Sequence, residues 1–278
     1  MRPLVSMILA SLLAGCTMPV EDPASVEAAP AAMPASFVGA EAATGDAKRD
    51  HGKRLSVVLG CNSCHGADYR GGNYSDDPDG GFIFASNLTR RMPDLTDEQL
   101  IKLMREGVHP RRDALWYMPA KTLQRLSAPD TDALIAFLRT LEPAGRDWPL
   151  PRGGEATGAL LDYGIIDQSP ALVEEYRRNL PPDRGNALAL GRYVASVTCS
   201  ECHGAALQGT SSAPPLTGVS ALGRERLAML LRTGTRDDGM SHGVMKFVAV
   251  RNLSSLEDAE RDALLDYLVA LGPPEKAE

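Results

Sequence analysis

The chain has 278 residues, of which 44% are hydrophobic, 23% charged and only 5% aromatic. These fractions exclude an intrinsically disordered chain, the length suits one large domain or two small ones, and no apolar run is long enough for a transmembrane helix. The formal net charge of −7 argues against a nucleic-acid binder, which presents a basic face.

Taken in chain order, Arg2 precedes an apolar stretch from Leu4 to Leu13, and Leu13-Ala14-Gly15-Cys16 follows. A positive start, a short apolar region and small residues describe an export signal, too short to cross a bilayer as a membrane helix. The run ending at Cys16 resembles the lipobox of bacterial lipoproteins. That resemblance implies that residues 1–15 are removed, that Cys16 is acylated, and that the mature protein is exported and lipid-anchored to a bacterial membrane facing the periplasm. Residues 16–45, rich in Ala and Pro, read as a flexible tether.

The other four cysteines form two copies of one pattern, Cys61-Asn62-Ser63-Cys64-His65 and Cys199-Ser200-Glu201-Cys202-His203. Chance predicts about 0.002 occurrences of C-x-x-C-H in a chain with five Cys and five His. A bare C-x-x-C leaves thioredoxin-like redox chemistry or half a zinc site open. The abutting histidine points instead to covalent attachment of haem c: two thiols one helical turn apart reach the two vinyl groups of a porphyrin edge, and the imidazole lies under the iron. Two motifs imply two haem c groups, and they leave no cysteine for a disulfide.

The halves repeat beyond these motifs. Gly52-Lys53-Arg54-Leu55 corresponds to Gly191-Arg192-Tyr193-Val194, and Gly66-Ala67 to Gly204-Ala205. Asn87-Leu88-Thr89 corresponds to Pro215-Leu216-Thr217. Leu100 to Gly107 corresponds to Leu227 to Gly234, each a short helical pattern ending at glycine. Met118 and Met245 each stand eight residues before a Leu-Ser pair, Leu126-Ser127 and Leu253-Ser254. Thr96 to Gln99 fits a capping box, and Ser127 with Asp130 or Ser254 with Glu257 are variants of it. Apolar stripes such as Leu134, Phe137, Leu138 and Leu141 close each half. No alternating strand pattern competes, so the expected fold is all-α.

Between residues 71 and 81 lies an acidic insertion with no counterpart in the second half. Ser75, Asp77, Asp79 and Gly80 have calcium-loop spacing, but Ser86 replaces the final glutamate, and a solvated loop is the simpler reading. Residues 143–185 connect the halves, irregular at first, with a short helix from Pro170 to Arg178 capped by Ser169. His51 reads as a surface residue. Arg90, Arg91, Arg105, Arg111 and Arg112 either neutralise haem propionates or form a solvated face.

The arrangement of a first helix ending in CxxCH, a middle helix, a methionine and a last helix resembles class I cytochrome c domains. The resemblance covers residues 46–142 and 186–273 and leaves 274–278 as a tail. It implies two tandem domains in which the first and last helices cross at a glycine–aromatic contact, Gly52 with Phe137 and Gly191 with Tyr267. It makes His65 and His203 the proximal iron ligands. On the other face Met118, followed by Pro119, matches the family's signature, with Met92, Met104 and His109 as competitors. Met245 keeps the repeat spacing but is followed by Lys246 rather than proline, and Met240 and His242 compete with it. A carbonyl that orients the proximal histidine comes from Pro214 in the second half and has to come from Ser86 in the first.

The function these features imply is a membrane-tethered di-haem carrier shuttling single electrons, with no catalytic residues of its own. Its partners are then a dehydrogenase donor and an oxidase or cytochrome acceptor, and no nucleic acid. The alternative is a di-haem redox enzyme of the peroxidase or sulfur-compound oxidase type, against which two methionines at repeat spacing argue.

Overall fold

The computed structural model describes residues 35–272 apart from 43, 80, 112–114, 116, 158–168, 212 and 236–242. Cys16, the signal segment, most of the tether, Gly80, Arg112, Trp116, Met240 and His242 lie outside the described residues. Among the described residues, no helix is long and apolar enough to cross a membrane.

The first half starts with α1 (Gly45–Val58), whose N-cap Thr44 accepts the Ala47 N–H, and α2 (Cys61–His65) follows after one turn. Next come the hairpin β1 (Gly72–Asp77) and β2 (Gly81–Ala85), the short α3 (Leu88–Arg91) and α4 (Asp97–Glu106). Then follow α5 (Ala120–Leu123) and α6 (Ala128–Leu138). The connector contributes α7 (Ser169–Arg178). The second half repeats the plan with α8 (Ala189–Thr198), α9 (Ser200–His203), α10 (Arg224–Thr233), α11 (Val244–Arg251) and α12 (Asp258–Ala270). The molecule is mostly helical, with two helical units of the same plan in tandem.

Helix starts follow the sequence with one shift. Thr96 and Gln99 form the reciprocal capping box of α4, and the Ser127 hydroxyl caps α6 by accepting the Asp130 N–H at 3.2 Å. In the second half the box forms from Glu257 and Glu260 rather than Ser254 and Glu257, so α12 begins one turn later than expected. The Ser254 hydroxyl is already engaged with the Val250 carbonyl at 2.8 Å.

In each half the first helix crosses the last, α1 over α6 and α8 over α12. Glycine is required at both crossings: a methyl group on Gly52 would overlap the Ala133 carbonyl, and one on Gly191 would overlap the Ala263 carbonyl and stand 2.6 Å from Tyr267 Cβ. The Gly191–Tyr267 contact is the expected one. In the first half the closest atoms are backbone of Ala133 and Leu134, and the Phe137 ring packs edge-on against Tyr69 at 5.3 Å.

The insertion is a hairpin whose acidic outer strand is largely solvent-exposed, as expected, and it corrects the expectation of a strand-free chain. Its inner strand carries Phe82, Ile83 and Phe84, which favour extended structure. The reason lies in the connector, whose first residues turn back over the first half. Arg152 bridges to Phe82 in the ladder, and Trp148 stacks on Phe84 with ring centres 6.1 Å apart. Asn87 Nδ2 donates to the Ala144 and Arg146 carbonyls. No cluster of three or more His, Cys, Asp or Glu suited to a metal occurs among the described residues.

The halves belong to one compact unit and share a reciprocal interface. Arg54 of α1 donates to both carboxylate oxygens of Glu260, at the start of α12, at 2.7 and 2.9 Å. Its repeat equivalent Tyr193 on α8 donates to Asp130, at the start of α6, at 2.7 Å. Each half thus grips the first turn of the other's last helix, the reciprocity of a two-fold dimer interface.

The described end of the tether, residues 35–42, is docked into this seam. Phe37 is 2% exposed and packs edge-on against Tyr193, its N–H donates to Asp130, and the next N–H, from Val38, donates to Glu260. Burial of one aromatic ring outweighs the freedom of a short Ala/Pro-rich segment. His51 corrects its surface assignment: it is buried, with Nε2 2.8 Å from Asp130 Oδ1.

Candidate functional site

Each Cys–x–x–Cys–His turn continues the first helix of its half and is followed by a duplicated loop. Gly66 and Gly204 leave the turn at φ 80° and 85°, and the fourth residue after each histidine, Tyr69 or Leu207, is also left-handed, at φ 60° and 63°. Both loops close with the same hydrogen bonds. Gly71 and Gly209 donate to the His65 and His203 carbonyls at 2.8 Å, and Leu88 and Leu216 donate to the carbonyls of Tyr69 and Leu207 at 2.8 and 2.9 Å. The sequence between the anchors differs, yet the hydrogen-bonded frame is the same.

That frame brings a carbonyl to each histidine. Ser86 O lies 2.8 Å from His65 Nδ1, and Pro214 O lies 2.7 Å from His203 Nδ1. A carbonyl only accepts, so Nδ1 carries the proton and the Nε2 lone pair is presented to a ligand. A proline in the second half and a serine in the first serve equally, because the contact uses backbone.

In each pair one thiol is half-buried and the other exposed, and neither pair forms a disulfide. Burial, with the neighbouring Cys64 thiolate, pushes the Cys61 thiol up to about 12, and burial pushes Cys199 up to about 11.

The candidates for the opposite axial position separate by burial. Met92 and Met104 are fully buried members of the core. Met118 sits before α5 and Met245 in the first turn of α11; both are half-buried at the core's edge. Tyr117, just before Met118, holds φ 62°, a left-handed conformation that costs a bulky residue energy. His109 Nδ1 accepts the Arg111 N–H at 3.1 Å, closing a local turn. Arg90, Arg91 and Arg111 pair with Asp147 or Asp94 at the surface. The buried Nε of Arg105 has no partner, the kind of donor that a carboxylate-bearing cofactor satisfies.

Sequence reasoning missed the polar side chains that cross between the halves at these turns. Arg125, 9% exposed, donates to Ser200 Oγ at 3.0 Å and to the carbonyls of Ser196, Tyr176, Asn179 and Ala205. Asn252 Nδ2 donates to the Val57 carbonyl at 2.7 Å and to Ser63 Oγ at 3.2 Å. Their shared position, one residue before each Leu-Ser pair, was the signal available.

Two thiols and an imidazole whose Nδ1 is held by a backbone carbonyl, on one short helix in each half, fit haem c and define a c-type cytochrome. The comparisons agree: residues 188–272 match the family model described as cytochrome c, and residues 47–138 match that described as cytochrome c oxidase, cbb3-type, subunit III. No curated protein matches the chain. The chain is a c-type cytochrome with two cytochrome c domains in tandem, a fold that implies haem c and haem-based electron transfer.

Proposed function

We propose that the chain is a membrane-tethered carrier of single electrons with two covalent haem c groups, one on Cys61 and Cys64, the other on Cys199 and Cys202. The observation that carries this reading is the duplicated His–carbonyl pair, 2.8 and 2.7 Å, which fixes the ligand tautomer in both halves. When bound, the haem iron supplies the one-electron redox chemistry. The chain's residues do the rest. His65 and Met118 in the first half, and His203 and Met245 in the second, would hold the iron, and the crossed helices would shield it from water. Repeat spacing and placement at the core's edge support both methionines. Acylated Cys16 holds the protein at the periplasmic face of a bacterial membrane. The donor is a dehydrogenase and the acceptor an oxidase or another cytochrome, for which the oxidase-subunit likeness of residues 47–138 speaks.

A pyridine haemochrome assay is expected to count two haems per chain, and the native oxidised protein is expected to show the methionine charge-transfer absorption at both, with its loss at one in Met245→Ala. Rapid stoichiometric binding of carbon monoxide at one reduced haem would overturn the carrier reading. Cys16→Ser is expected to release the protein from the membrane fraction.

A further inference from the structure

The two haem-attachment turns are gripped by repeat-equivalent residues of opposite halves, and the residues differ in charge. Arg125 stands seven residues after Met118, and Asn252 seven after Met245. Arg125 reaches from the first half to Ser200 Oγ, beside Cys199, and to the Ala205 carbonyl, two residues beyond His203. Asn252 reaches from the second half to Ser63 Oγ, beside Cys64.

We propose that this pair sets the direction of electron flow: buried Arg125 holds the second site at the higher potential, and neutral Asn252 leaves the first site lower. The inference rests on the two-haem reading above. Reducing a haem iron removes one positive charge, so a fixed cation nearby disfavours the oxidised state and raises the potential. Arg125 is placed for this effect. Its hydrogen bonds go to five oxygens, all uncharged, and no carboxylate pairs with it among the described residues. Burial lowers its pKa to about 10, which leaves it cationic at neutral pH.

Lys121, one turn earlier, adds a second cation on the same side; the Glu201 carboxylate of the second attachment turn opposes both but is exposed and screened by solvent. The Lys121 ammonium lies 5.3 Å from the Tyr176 ring and the Arg125 guanidinium 5.2 Å from it, and Tyr176 donates to the Ser200 carbonyl at 3.0 Å. At the first turn the side chains that reach Ser63 are neutral: Asn252, and Tyr74 to its carbonyl at 3.0 Å. Arg251 beside Asn252 is exposed and screened by solvent, whereas Arg125 is not. Transfer from the first site to the second oxidises one iron and reduces the other, with no bond made or broken and no proton moved.

The test is a spectroscopically followed potentiometric titration of the intact two-haem protein. Met245→His, which lowers the potential of its own haem, marks which wave belongs to the second site. The wild type is expected to place the higher potential there. Arg125→Gln is expected to reduce the equilibrium constant for transfer to the second site on the order of tenfold, ~59 mV for a one-electron couple. Arg125→Lys, which keeps the charge but loses most of the hydrogen bonds, is expected to retain the gap; its loss in that variant would make Arg125 a structural residue only and overturn the inference. If Arg125→Gln does not fold, Lys121→Gln is expected to give a smaller fall in the same direction, and no fall overturns it. A higher potential at the first site overturns it too. A chain that takes up only one haem would instead sink the two-haem reading, and this inference with it.

Discussion

The two halves share a hydrogen-bonded frame around their histidines but differ in what they add to it. The first half carries the hairpin, its Trp148 lid and a capping box at α4; the second has Gly223 at the matching helix start, with no side-chain cap. Across the seam, Arg54 meets Glu260 while Tyr193 meets Asp130, so one grip is an ion pair and the other a hydroxyl–carboxylate bond. The lesson is that duplication preserved the backbone contacts, where any residue supplies the carbonyl, and let side-chain contacts diverge in charge. That divergence makes two equivalent sites unequal.

The largest effect on this comparison is expected from removing the carboxylates at the seam. Asp130 is fully buried and serves His51, Tyr193, Ser127 and the Phe37 N–H. Asp130→Ala is expected to cost about 3–5 kcal/mol in urea unfolding, because it strands several buried donors at once. Glu260→Ala is expected near the lower end of the same range, since Arg54 keeps 17% side-chain exposure and still bonds the Val38 carbonyl. Equal losses would show that the two grips are energetically alike.

Acid is expected to act more mildly and on one grip. Burial favours the neutral Asp130 acid, but the hydrogen bonds from His51, Tyr193, Phe37 N and Ser127 outweigh it and hold the carboxyl below its ordinary value. A depressed folded pKa gives stability that is complete above the unfolded value of about 3.9 and is lost as pH falls through the folded one. Stability is therefore expected to hold from neutrality to about pH 4 and then decline, with the Asp130 share of that decline absent in Asp130→Asn. The smallest effect tests the caps: Thr96→Ala is expected to cost about 1 kcal/mol by thermal unfolding. The second half has no equivalent to lose, because Gly223 sits at φ 77°, where other residues are strained.

The two Cys–x–x–Cys–His turns, the repeat and the helix order were legible in the sequence, because they depend on short-range spacing, and the carbonyl partners of both histidines were implied by the resemblance to class I cytochrome c domains. The Thr96 and Ser127 caps were legible from short-range spacing too. The hairpin was not, since β2 is held by Trp148 and Arg152, more than sixty residues away. His51 read as a surface residue because its partner Asp130 is 79 residues distant.

By itself, then, the sequence determined two cytochrome c units and the duplicated Cys–x–x–Cys–His turn that each contains. Only the tertiary structure decided that the units meet face to face, with the end of the tether wedged between them and Arg125 and Asn252 each reaching into the other's site. The physical reason is one of range: a motif is set by bonds along the chain, whereas the charge a buried site feels is set by whatever folding brings beside it.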